Sequence, residues 1–499
     1  MSGMAESLRG ELLKLDPARY GGMRLSMAFM SKEHPWNAYV DAVANTWAGQ
    51  RDTGRDRLVK SKLEGYCLLR PDQAAMERLY LAVDARFRLP PWDWYELAGA
   101  ARMGDEARDL LSGYLVRLGE RVSRDAGLWR EYLDEVRARL AAKSFQPEEL
   151  GRAIAWLERW MPPGEELPGV ARLMLESARF AFESHAGRFD RGRLERCRSL
   201  MEELREEAPE VACETALRMA SGLANRFGFA EMSSLLLPWR DEPPAVPGLA
   251  NHGKVLSALG QVEAFGGRFA QALGYFDRAL GVFARLSDRA QARRERAQTG
   301  IYRLMALMDD EAVPRAAVAE AVQGYFAEHF GMEDVADAGR MLAGSDGRLR
   351  YAHHVFLRAL VCAGEEMGRA RRVYLRQRRH WQRGLGHPWP WIDAYRGWLL
   401  QREGASEAAR EWFEGAIGGW DALGGEPLFL WLGEVTRDLA RALDLGVRGS
   451  GARRPVREAL RLSLPEAPHA ALEAFAAPGP KPLAEVRAFL GACAPFLFH

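Results

Sequence analysis

From Lys254 to Leu286 the sequence reads KVLSALGQVEAFGGRFAQALGYFDRALGVFARL, a pattern that fits two packed helices joined by a tight turn. Gly260 and Ala272 are small where antiparallel helices would cross closely, and Gly267 sits where the chain must reverse. Phe276 and Ala279 fill the seam toward a following hairpin. The ladder recurs from Pro390 to Asp421, in PWIDAYRGWLLQREGASEAAREWFEGAIGGWD. There Gly397, Gly404, Ala409, Phe413 and Ala416 repeat the steps of Gly260, Gly267, Ala272, Phe276 and Ala279, each displaced by 137 residues.

That displacement is close to four units of about 34 residues, the period of a helix–turn–helix repeat. The two stretches resemble tetratricopeptide repeats, over about 254–286 and 390–421. The resemblance implies an all-α fold of stacked antiparallel helical hairpins, an α-solenoid or tetratricopeptide-like superhelix. The departures are Glu263, where the family usually has an aromatic, and Ala284 and Asp421, where its helix-ending proline is common. Between the two copies the units are degenerate, although Arg350 to Arg383 reads as a hairpin turning near Ala363-Gly364.

In such arrays the first helix of each hairpin lines a concave groove where partners bind. Carried over by position, the groove-facing residues are Lys254, Ser257, Gln261 and Phe265 in one unit, and Trp391, Ala394, Trp398, Gln401 and Arg402 in the other. Trp391 and Trp398, about two helical turns apart, are candidate anchors for a partner's apolar side chain. The competing reading packs both rings against a neighbouring hairpin or the C-terminal segment.

Composition supports a folded chain: 499 residues, 48% hydrophobic and 27% charged, with a net charge of +1. That charge gives no global attraction to nucleic acid or an anionic membrane, so a basic function has to be local. Basic charge is nearly all arginine, read here as a GC-rich coding bias. Five scattered cysteines without a CxxC pair argue against a disulfide scaffold or zinc ribbon and suit a reducing compartment. The N-terminal stretch carries no signal-peptide pattern, and no apolar run approaches the roughly 20 residues that span a bilayer. The expected location is cytoplasmic, with no membrane insertion.

Helical periodicity dominates the rest. Trp129, Tyr132, Leu133, Val136 and Leu140 mark one helix face, and Ile154 and Leu157 mark another before Met161-Pro162-Pro163-Gly164. The expected organisation is a helical region over 1–240, a Pro-rich connector over 241–253, the array over 254–446 and a C-terminal segment over 447–499. That segment reads as two short helices, around Val456–Leu462 and Leu483–Leu490. Such a segment docks on the array as a cap or hangs free, and its apolar Phe496-Leu497-Phe498 favours docking; a regulatory variant has it occupy the groove until a partner displaces it. Arg102 to Ala107 resembles another hairpin turn, and Pro90-Pro91-Trp92-Asp93-Trp94 and His387-Pro388-Trp389-Pro390-Trp391 read as corners or docking edges.

The sharpest charge feature is Arg369, Arg372, Arg376, Arg379 and Arg383, spaced by three and four as one basic stripe on a helix from Gly368 to Arg383. Arg371 and Arg378 flank it, with Tyr374 and Trp381 nearby. Guanidinium forks bind phosphates or carboxylates bidentately, so the stripe suits a nucleic-acid backbone or an acidic protein surface. The alternative is a solvated face paired with acids such as the Glu202–Glu210 cluster. Arg289, Arg293 and Arg296 form a second stripe, near the groove of the next unit.

No HExxH, paired CxxC or GxxxxGK[ST] motif occurs. His353-His354 lies eight or nine residues before Cys362, about 12 Å along a helix, too far for direct contact. A buried cysteine and two partly exposed histidines are expected there. The sequence therefore predicts a non-enzymatic protein–protein scaffold or adaptor with no cofactor and no metal, its partner another protein or peptide of acidic character. The rivals are a nucleic-acid-associated subunit using the arginine stripes, and an enzyme whose site is dispersed in sequence.

Overall fold

The computed structural model describes residues 126–142, 147–162, 166–185, 187–241, 248–345, 349–448, 466–475 and 481–493, with isolated positions from 116 to 124. It is all-helical, with no strand among the described residues. Two compact units divide at Pro163 and Gly164. In the first, helices α1 (Ala126–Ala142) and α2 (Pro147–Trp160) are described. The stripe Trp129, Tyr132, Leu133, Val136 and Leu140 is buried as its periodicity predicts, and so are Ile154 and Leu157 of α2. Arg102–Ala107 and the Pro90–Trp94 corner lie outside the described residues.

The second unit begins with α3 (Gly169–His185), α4 (Arg191–Glu203), α5 (Pro209–Ala224) and α6 (Phe229–Leu236). It continues with α7 (Leu249–Phe265), α8 (Phe269–Ala284), α9 (Arg289–Asp309), α10 (Arg315–Phe330), α11 (Val335–Ala343), α12 (Arg350–Cys362) and α13 (Gly368–Arg376). Then follow α14 (Trp389–Arg402), α15 (Ser406–Ala422), α16 (Pro427–Ala442), α17 (Glu466–Phe475) and α18 (Leu483–Cys493). Local chemistry sets many of the starts. Asp190, Asp288 and Asp334 each accept a hydrogen bond from a backbone N–H of the following first turn, and Pro209 and Pro427 open α5 and α16.

The two quoted stretches form matching antiparallel hairpins. In α7–α8, a Cβ placed on Gly260 would lie 2.7 Å from the Phe276 ring, and one on Gly253 would lie 2.4 Å from Phe283. In α14–α15, a Cβ on Gly397 would lie 2.6 Å from Phe413, and one on Gly419 would lie 2.9 Å from Pro390. These pairings run in opposite directions along the two helices of each hairpin. Both turns use a left-handed glycine, Gly267 at φ +73° and Gly404 at φ +78°. Both close on equivalent bonds, Arg268 N–H to the Glu263 carbonyl at 2.9 Å and Ala405 N–H to the Leu400 carbonyl at 3.0 Å.

One core runs through the second unit from Leu173 to Cys493. It crosses the 241–253 connector: α5 and α6 pack on α7, and His252 Nδ1 lies 3.1 Å from the Trp239 carbonyl oxygen. The chain does turn at Ala363-Gly364, with Gly364 at φ +64°, but α13 leans mainly on α11 rather than on α12. Gly339 of α11 permits that approach, since a Cβ there would stand 3.4 Å from the Ala370 carbonyl oxygen. In the C-terminal segment, α17 is a helix the sequence reading omits, whereas α18 coincides with the expected helix. Val456–Leu462 and Phe496–Phe498 lie outside the described residues.

Candidate functional site

The C-terminal segment docks far from its neighbours in sequence. Helix α18 packs on α9 and α12, while α17 packs on α16 and on α18. Its buried face is Val486, Phe489, Leu490 and Cys493, at the i, i+3, i+4, i+7 spacing of an amphipathic helix. Phe489 stacks on Phe475 of α17 with ring centroids 3.8 Å apart. Gly491 brings α18 against the end of α9, where a Cβ would stand 3.1 Å from the Asp309 carbonyl oxygen.

Arg487 supplies the polar half of this contact. Its Nε donates to Met308 O at 2.6 Å, and its Nη2 donates to Asp310 O at 2.6 Å and to Leu307 O at 3.2 Å. Val313 O accepts from both terminal nitrogens at 3.2 Å. The last carbonyls of a helix have no partner within it and carry the negative end of its dipole, so a buried guanidinium is well suited to close α9. At the far end of α18, Trp431 Nε1 of α16 donates to the Cys493 carbonyl at 2.6 Å.

The same unit also buries several charged side chains. Arg358 of α12 pairs with Asp309, the last residue of α9, and donates to the Tyr395 hydroxyl at 3.3 Å. Burial disfavours the charge on Arg358, but the adjacent Asp309 carboxylate outweighs it and holds the guanidinium protonated. Arg396 Nε donates to the Tyr374 hydroxyl at 2.9 Å and its Nη1 lies 3.4 Å from Asp393. Burial raises Asp393 to about 7, against the pull of Arg396. Arg437 joins Asp421 at 2.8 Å and Glu434 at 3.2 Å.

His353 and His354, expected to be partly exposed, are buried. His353 Nε2 shares a hydrogen bond with the Tyr374 hydroxyl at 2.8 Å, and His354 stacks on Tyr395 at 5.7 Å between centroids. Burial pushes His353 well below the usual histidine range, with Arg396 and His354 adding to it. Cys362 is buried as expected.

The residues expected to face the groove are largely engaged already. Trp391 and Trp398 are only 1% and 5% exposed, and Trp391 packs on Tyr395 and Trp420. Gln261 is buried, with Nε2 donating to Ser257 O at 3.4 Å, and Phe265 lies on Phe229 with centroids 4.0 Å apart. Lys254 pairs with Glu295 of α9 at 3.3 Å, and Arg402 reaches Glu365 at 3.4 Å. Arg293 donates to the His329 carbonyl at 3.1 Å and Arg296 pairs with Glu328 at 2.5 Å, both turned to the end of α10, while Arg289 is exposed.

The stripe from Arg369 to Arg383 is not one helix. α13 ends at Arg376, a 3₁₀ turn spans Arg378–His380, and Trp381 is extended. The aromatics explain the break. Seven helical residues would separate Tyr374 and Trp381 by about 10 Å along the axis, whereas the tightened chain stacks their rings at 5.0 Å in the core. Arg369 pairs with Asp334 at 2.8 Å and Arg371 with Glu365 at 3.2 Å, so the neutralising acids are these and not the Glu202–Glu210 cluster. Arg383 donates to the Glu411 carbonyl at 2.9 Å and lies over Trp412. Arg372, Arg376, Arg378 and Arg379 are exposed with no carboxylate partner among the described residues. Just beyond them Leu385 projects at 94% exposure between Gly384 and Gly386.

Arg487, Gly491 and Trp431 escape a sequence reading centred on the repeat; the only signal was the amphipathic spacing of 486–493 with one arginine inside it. Among the described residues no group of His, Cys, Asp and Glu is arranged to hold a metal ion, and no helix is long and apolar enough to cross a membrane. No family model, curated protein or solved structure matches this chain.

Proposed function

We propose that this chain is a non-enzymatic scaffold for protein–protein contacts, a tetratricopeptide-like stack of helical hairpins whose groove takes up a helix of a partner. The observation that carries this reading is the seating of α18 on α9, α12 and α16. A surface that holds an amphipathic helix of its own chain has the apolar face and the fixed acceptors that helix-in-groove recognition uses. The matching hairpins around Gly260 and Gly397 support the repeat. Cytoplasmic placement belongs to the same proposal, supported by the buried thiols Cys197, Cys213 and Cys362, which form no disulfide among the described residues.

The exposed arginines from Arg372 to Arg379 add a second contact surface, for an acidic protein. Nucleic acid is the rival ligand there, but Tyr374 and Trp381, the aromatics within the stripe itself, are buried in the core and cannot stack on bases. The test is affinity capture with and without nuclease, comparing the wild-type chain with Arg372→Glu/Arg376→Glu/Arg379→Glu. A protein that survives nuclease and is lost in the variant supports the scaffold. Nucleic acid lost in the variant supports the rival.

A further inference from the structure

Resting on the scaffold reading, we infer that the α18 seat is an exchangeable receptor for an amphipathic helix of a partner protein, one that places an arginine on the carbonyls at the end of α9 and a small residue over Asp309. The seat defines its occupant closely. Five hydrogen bonds from Arg487 reach Leu307, Met308, Asp310 and Val313, and all of these acceptors are backbone carbonyls. A carboxylate in that position would face only acceptors and the negative end of a helix dipole. A carboxylate at that one position is therefore excluded, whatever the arginine patch at Arg372–Arg379 recruits. At the Gly491 position the contact admits nothing beyond a small side chain, with the Asp309 carbonyl 3.1 Å from a Cβ. Four apolar positions at i, i+3, i+4 and i+7 complete the pattern.

The occupant enters by exchange because the seat is already filled. Residues 483–493 belong to the same chain, so they act at high local concentration and a partner helix gains access only as they leave. Arg487→Ala in the full chain removes the five carbonyl contacts from the resident helix while leaving the seat intact. The probe is a fluorescein-labelled peptide of residues 481–493, with its Arg487→Glu version as control. Binding is read by anisotropy, and departure of the resident helix is read by alkylation of Cys493, which is buried when α18 is seated.

The expected result is that the peptide binds the Arg487→Ala chain at least tenfold more tightly than the wild-type chain, with Cys493 alkylated faster and no binding of the Glu peptide. If Arg487→Ala leaves Cys493 protected, Gly491→Leu forces the helix off by steric conflict with α9. A chain whose Cys493 is open but which binds no peptide overturns the proposal, and so does a Cys493 that stays closed in both variants. A concentration-dependent dimer abolished by Gly491→Leu assigns the seat to a second copy and also overturns it. Failure of the scaffold reading has a different signature: peptide binding persists while no nuclease-resistant protein partner is captured.

Discussion

Arg487 Nε donates to the Met308 carbonyl oxygen at 2.6 Å, tying together residues 179 positions apart. This contact and the four beside it turn a helix end that would need solvent into a buried junction. Replacing Arg487 by Ala takes the donor from the buried Met308 carbonyl, which costs about 1–3 kcal/mol, and weakens the partly buried contacts at Leu307, Asp310 and Val313, of which Asp310 O still accepts from Val313 N–H at 3.1 Å. The expected loss is about 2–4 kcal/mol in urea denaturation. Arg487→Lys recovers less than half of it, because one ammonium cannot reproduce a fork that reaches four residues.

The hairpin glycines give a matched test. Gly260→Ala drives a methyl group into the Phe276 ring, which is fully buried, and is expected to cost about 1–3 kcal/mol. Gly274→Ala, within α8 and facing open space, is expected to stabilise by about 0.5–1 kcal/mol. Gly397→Ala should follow Gly260→Ala in sign and size, since the two positions meet the same ring in the same register. Thermal and urea unfolding of the three variants measure this.

Trp391→Ala separates packing from partner recognition. The ring lies among Tyr395, Trp420 and His354 with 1% exposure, so its removal is expected to cost about 3–5 kcal/mol of stability. An exposed anchor would instead leave stability nearly unchanged and weaken binding alone. Calorimetric unfolding of the variant distinguishes the two.

Asp393 predicts a pH dependence. Its folded-state value is raised to about 7 by burial, above that of an unfolded aspartate near 3.9. Between these values the folded chain holds the proton and the unfolded chain does not. The stability contributed by this group is therefore full below about pH 4 and is lost as pH rises toward 7, with a slope of at most about 1.4 kcal/mol per unit. His353, pushed low, acts in the opposite sense below about 6.5 and is common to both chains. The difference in unfolding free energy between wild type and Asp393→Asn, measured from pH 4 to 7, should isolate the aspartate slope.

Legibility in the sequence follows the range of the interactions. The glycine–phenylalanine ladder was readable because close helix crossing demands a missing side chain opposite a large one, and both lie within one hairpin. The buried stripe of α1 was readable for the same local reason. The basic stripe misled because spacing by three and four assumes an unbroken helix, and it carries no information about Trp381 being drawn into the core beside Tyr374. Groove residues such as Gln261 and Trp398 were assigned by analogy with an open array, but in this chain both are buried. The sequence favours docking of the C-terminal segment but not the place where α18 seats, because its partners Met308 and Trp431 lie far away in the chain.

Hydrogen exchange of the 486–493 amides in the full chain tests the central claim most directly, since protection there reports whether α18 is held on the α9, α12 and α16 face. In the wild type these amides are expected to exchange far more slowly than in the free 481–493 peptide. In Arg487→Ala they should exchange at least tenfold faster, with α14 and α15 unchanged. Exchange at free-peptide rates in the wild-type chain would contradict the account.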